Sequence, residues 1–193
     1  PRSAVITGFR ADNETESVRT SRFLRFTEEE REEIFRNISY KPTEDLTLGD
    51  RIGSGDKSMP KVGTDDVKEF LEVLKENSDT VFSDKMSRKS SDQTPHEVWR
   101  REGMSYFVNP LLENLYPSGD KPREVKPMYF DSELERKAGF LALQTSTYYV
   151  FWMVYGNERH LPWKLIDGFP FPDEDELEEK EDEVIELADE LWS

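Results

Sequence analysis

Ser146 to Pro172 reads STYYVFWMVYGNERHLPWKLIDGFPFP, and its spacing decides how the chain is built. Tyr148, Phe151, Trp152 and Tyr155 recur at helical intervals, so most of them line the buried face of a helix and do not serve as platforms for stacked bases. Gly156 stops that helix. A polar turn follows, Gly156-Asn157-Glu158-Arg159-His160, and then an exit in which Pro170 and Pro172 alternate with Phe169 and Phe171.

On the N-terminal side of this block, Asp131 or Ser132 caps a helix through Leu134, Ala138, Leu141 and Ala142, with Arg136 and Lys137 on its other side. Gly139 is a modest cost inside it. The MYF run at Met128 to Phe130 is a strand, preceded by a loop from Pro117 to Pro127. On the C-terminal side, Leu177, Val184, Ile185, Ala188, Leu191 and Trp192 fall near one face, which predicts an amphipathic acidic helix over 173–193 that docks on the domain or on a partner helix.

Further upstream, Ala4 to Arg10 and Ser21 to Phe26 read as two strands. Thr27-Glu-Glu-Glu30 is a capping box that opens a helix with Ile34, Phe35 and Ile38 on its apolar face. Thr64 caps the next helix, whose Val67, Phe70, Leu71 and Leu74 share one side. Val81 to Thr94 is rich in Ser and Lys and reads as a long exposed loop. It leads into a hairpin in which Val98 and Trp99 face Tyr106, Phe107 and Val108 across a Gly103 turn. The expected fold class is α+β, with a small sheet or hairpins packed with several helices and an acidic amphipathic helix at the end.

Charge is distributed unevenly. Asp173 to Glu190 holds twelve acids against Lys180 alone, a net of −11 out of −16 for the chain, which leaves −5 for everything else. Lys85 to Arg101 carries Lys85, Arg88, Lys89, Arg100 and Arg101 against Asp92 and Glu97, a local +3. The acidity fits a halophilic source, where excess surface charge keeps proteins soluble. A dozen carboxylates exclude the tail as a DNA contact, whereas a basic loop entering a hairpin with Trp99 and Tyr106 is suited to phosphates and base edges. It is equally readable as a solvated loop beside two core aromatics.

The chain has no Cys, so disulfides and thiolate chemistry are excluded. No apolar run is long enough for a membrane helix, and PRSAVITGF lacks the layout of a signal peptide, so a cytoplasmic location is expected. In GSGDKS, Asp56 separates Gly55 from Lys57 and breaks a phosphate-binding loop. His96 and His160 belong to no spaced metal motif. The 12 Phe, 7 Tyr and 4 Trp compensate for an apolar share of only 35% and supply a core.

The aromatic block, through Tyr148, Tyr149, Phe151, Trp152, Gly156, Asn157, Arg159, His160, Leu161, Ile166 and Phe169 to Pro172, resembles the closing segment of the target recognition region of adenine-N6 DNA methyltransferases of restriction-modification systems, the TaqI-like specificity type. Arg22, Phe23, Arg25, Phe26, Glu30, Arg31, Phe35 and Tyr40 resemble the segment that follows the catalytic domain in the same family, and Met59 to Gly63 the entry to its recognition domain. The resemblance implies a tail of the methyltransferase domain with a connecting helix over 1–45, a DNA target recognition domain over 46–172 and the acidic helix over 173–193. It implies double-stranded DNA and the catalytic domain in cis as partners, and no membrane. The glycine-rich loop for S-adenosylmethionine and the NPP[YF] loop for the flipped adenine are both missing from this sequence, and Asn109-Pro-Leu-Leu lacks the second proline and the aromatic. No cofactor and no catalytic residue are therefore expected here; S-adenosylmethionine belongs to the parent enzyme.

The candidate DNA-binding residues are Lys85, Arg88, Lys89, Arg100, Arg101, Tyr106, Asn157, Arg159 and His160. Arg grips guanine and Asn grips adenine. Against that stands a structural role for the turn, in which Asn157 and His160 cap the helix while Arg159 pairs with Glu158 or the tail. The rival function is an acidic protein-interaction module or DNA mimic.

Overall fold

A computed structural model describes residues 18–24, 26–48, 58–76, 79–90, 96–103, 108–115, 125–156 and 160–193. The Ala4 to Arg10 strand, Tyr106, Asn157 and Arg159 lie outside these residues. Eight helices and two small antiparallel sheets among the described residues make the fold α+β, as the sequence indicates.

The first layer is thin. β1 (Arg19–Thr20) pairs with β2 (Lys41–Pro42), so the strand expected at Ser21 to Phe26 is displaced toward the N-terminus. Thr20 sets the position, because its hydroxyl donates to the Pro60 carbonyl at 2.6 Å and accepts from the Val62 N–H at 3.1 Å. α1 (Arg31–Arg36) starts three residues later than the capping box predicts, with Glu30 and not Thr27 as its N-cap. The Glu30 carboxylate accepts the Thr27 N–H at 3.0 Å and the Thr27 hydroxyl at 2.9 Å, so only the reaching-back half of the box forms. Those bonds hold the Glu30 carboxyl below its ordinary range. α1 buries none of its residues. α2 (Asp65–Glu76) opens as expected, with the Val67 N–H on Thr64 Oγ1 at 3.3 Å and Leu71 buried.

The segment expected as an exposed loop begins in the core and then joins the sheet, while Ser83, Asp84 and Arg88 to Ser90 are exposed. Val81 bridges Pro170, α3 (Phe82–Lys85) buries Phe82 completely, and β3 (Met86–Ser87) joins the sheet. β4 (His96–Arg101) pairs with β5 (Val125–Phe130), from His96 opposite Phe130 to Arg101 opposite Val125, and the order is β3-β5-β4. The strand partners of Trp99 are thus Pro127 and Leu111, and not the Val108 of the expected hairpin. β4 buries Val98, Trp99 and Arg100 in succession, as a strand covered on both faces does. Its two edges are taken by β5 and by Leu111, which exchanges backbone bonds with Trp99 at 2.8 and 2.7 Å. Because Trp99 turns its N–H and C=O toward Leu111, Pro127 opposite it needs no donor, and a proline fits in the central strand. Val125 to Pro127, expected as loop, belong to this strand.

α4 (Glu133–Gln144) is capped by Ser132, whose Oγ accepts the Glu135 N–H at 3.1 Å. A Cβ at Gly139 would lie 2.6 Å from Phe130 Cζ, so the glycine lets α4 rest on β5. Lys137 is not on an outer face; it is buried and pairs with Asp189 at 2.6 Å. α5 (Ser146–Tyr155) buries Tyr148, Phe151, Trp152 and Tyr155, and the Gly156 N–H closes on the Trp152 carbonyl at 2.7 Å. After α6 (Trp163–Asp167), the exit runs beside Thr80 to Phe82, with the Phe82 N–H on the Phe169 carbonyl and the Phe171 N–H on the Thr80 carbonyl, both at 3.0 Å. Phe82 stands edge-on to Phe171, with ring centroids 5.0 Å apart.

The acidic tail is two helices, α7 (Glu174–Glu179) and α8 (Glu181–Trp192), broken at Lys180. α8 lies on α4 with Ala188 fully buried and Trp192 edge-on to Phe140 at 6.0 Å. Leu191, counted in its inner face by periodicity, is 55% exposed. Among the described residues no helix is long and apolar enough to cross a membrane.

Candidate functional site

The end of β4 is extended by the segment that follows the polar turn. Gly103 bridges His160, and the Leu161 N–H donates to the Glu102 carbonyl at 2.9 Å. Pro162 then turns the chain into α6, which sets Trp163 over β4 with the Arg100 guanidinium carbon 4.0 Å from the ring centroid. The Arg88 guanidinium carbon lies 4.9 Å from the same centroid. Two arginines twelve positions apart thus share one indole, an arrangement favoured by the attraction of cations to the ring face.

Arg100 is fully buried. Its Nη1 donates to the Leu161 carbonyl at 2.6 Å, whereas Nε and Nη2 have no partner. Burial pulls this guanidinium below its ordinary value; Tyr148, Glu102 and Asp167 act against that and Arg88 adds to it. It stays charged, since arginine does not deprotonate in proteins. The Tyr148 hydroxyl is buried without a partner, and desolvation drives its acidity down despite the nearby Arg100 charge.

Two carboxylates complete the cluster. Asp167, buried at the end of α6, is paired with Arg88; burial raises its carboxyl and Arg88 opposes the rise. Glu102 bonds Lys126 at 2.7 Å, and that bond holds its carboxyl low. Arg88, Arg100 and Lys126 therefore face Asp167 and Glu102, with Arg100 the one cation of this cluster that has no carboxylate hydrogen-bonded to it.

Of the residues nominated by sequence, Arg88 and Arg100 meet at Trp163, and His160 lies beside Gly103 at the end of the same strand. His160 is exposed, and its carbonyl accepts the Trp152 indole N–H at 3.0 Å. Lys85 is elsewhere, 3.2 Å from Glu135 and 3.9 Å from Glu174. Lys89 and Arg101 are exposed and do not join the cluster through any contact described above. Sequence reading passed over Trp163 and Asp167. An acid between Ile166 and Gly168, in an otherwise apolar exit and four residues after a Trp, was the signal available.

Comparison with known proteins gave no significant match: no family model fits the chain, and neither a curated protein nor a solved structure is similar to it. The chemistry of the cluster is that of donors and cations offered to an acceptor. Among the described residues no group of His, Asp and Glu is placed to hold a metal.

Proposed function

We propose that this chain recognises double-stranded DNA as the target recognition region of an adenine-N6 methyltransferase, and that S-adenosylmethionine and methyl transfer belong to a catalytic domain acting with it. The observation that carries this reading is the meeting of Arg88 and Arg100 on one indole, with His160 beside the same strand end. Guanidinium groups are the side chains most used for guanine edges and phosphates, and here Arg100 lies on β4 while the half-exposed Arg88 follows β3. The resemblance of Arg22 to Tyr40 and of Ser146 to Pro172 to that family supports it independently.

A second reading, an acidic interaction module that mimics DNA, is favoured by the tail. Of its acids, only Glu174, Glu183 and Asp189 are held in ion pairs among the described residues. One titration separates the two. Labelled duplex is added to the chain at several salt concentrations, with and without an S-adenosylmethionine-loaded adenine methyltransferase catalytic domain of the resembling family. Recognition predicts duplex binding that is strengthened by the catalytic domain and weakened by Arg88→Ala. Capture of a basic DNA-binding protein with no duplex response under any condition establishes the mimic instead.

A further inference from the structure

We propose that the Arg88–Trp163–Arg100 stack is an oxyanion subsite, with Arg100 at its floor and Arg88 at its mouth. The inference rests on the recognition reading only for the source of the anion, a backbone phosphate; the site itself rests on the geometry. Arg100 is wholly buried with two N–H groups unpartnered, and it is the surplus cation in a cluster whose other two cations each hold a carboxylate. An unpaired buried charge is costly, and donors left idle in a dry site call for an acceptor. Every idle group on Arg100 is a donor, so water or a cation leaves the charge unbalanced, whereas an oxyanion supplies both the acceptor atoms and the missing negative charge. The Tyr148 hydroxyl, also idle and within the field of Arg100, offers one more donor. Arg88 is about half exposed on the same ring, with a side chain 52% accessible, so an anion arriving from solvent meets it first. Asp167 holds Arg88 there and excludes a second anion.

The test uses the intact chain and the emission of Trp163, assigned by difference against Trp163→Phe. Inorganic phosphate and sulfate are titrated against chloride at matched ionic strength. The expected result is a saturable change with both oxyanions, weakened at least tenfold in Arg100→Met and several-fold in Arg88→Met, with the fold of each variant checked by far-ultraviolet circular dichroism. A response that is linear in ionic strength, or that is equal in Arg88→Met and the wild type, overturns the subsite. A short duplex titrated in parallel distinguishes the two readings. Phosphate binding without duplex binding keeps the subsite and removes the DNA reading. Duplex binding undiminished in both variants keeps the DNA reading and removes the subsite as a backbone contact.

Discussion

Two oppositely charged segments of the chain are folded differently. In Lys85 to Arg101, with its net positive charge, Lys85 is held by Glu135, Arg88 by Asp167, and Arg100 is buried under Trp163, while Lys89 and Arg101 stay exposed. Asp173 to Glu190 is turned outward, with Leu177 and Ala188 buried and Asp189 paired with Lys137 of α4. A stretch's net charge therefore does not report the potential it shows to a partner. Arginine can be internalised because its planar, weakly hydrated head stacks on aromatics, while a run of carboxylates on a short helix has no comparable way in.

The sharpest way to break this contrast is at Arg100. Arg100→Ala empties the space under Trp163 and orphans the Leu161 carbonyl, and should cost about 2–4 kcal/mol in denaturant unfolding. Arg100→Met, which fills the space and removes the idle donors, should fall within about 1 kcal/mol of wild type or exceed it. If both variants cost the same, the inward arginine is held by its charge and not by packing. Next is Lys137→Ala, expected to lower stability by about 1–2 kcal/mol through the lost stem packing, with loosening of α8 visible in hydrogen exchange.

Acid sharpens the contrast within the cluster. Asp167 is raised by burial, so its penalty holds above its folded pKa and fades as pH falls toward the unfolded value. Glu102 is lowered by Lys126, so its contribution is present above the unfolded value and is lost as pH falls through the folded one. Thermal melts between about pH 6 and 3 should show Asp167→Asn losing its stability advantage over wild type on acidification, and wild type losing its advantage over Glu102→Gln. The smallest effect is expected outside. Glu178, Glu179, Glu186 and Glu190, replaced singly by Gln, should each change stability by less than about 0.5 kcal/mol, and together should flatten the dependence of Tm on salt.

Local periodicity and caps were sufficient for much of the fold. Thr64, Ser132 and the spacing of Tyr148, Phe151, Trp152 and Tyr155 mark helices where helices form, and the apolar positions of the tail indicate its docking. What escaped is nonlocal. The partner of β4 lies far along the chain at Val125 to Phe130, and a hairpin around Gly103 was the nearest alternative with the same alternation. Phe82 becomes core only because Phe169, Phe171 and Phe130 arrive from far along the chain. The site was half legible. Arg88 and Arg100 stood out by charge, but the direction of a long side chain depends on what lies over it, and Trp163 is set there by the course of residues 160–163.

The exit strand beside Thr80 to Phe82 has a consequence for how the protein behaves in a crowded solution. The Phe169 carbonyl and the Phe171 N–H are spent on that inner neighbour, which leaves the intervening Pro170 backbone facing away from Val81. Neither proline has an N–H. A strand from another molecule that approached this segment would find the donors it needs missing at Pro170 and Pro172, so the same prolines that punctuate the sequence guard it against growth into aggregates.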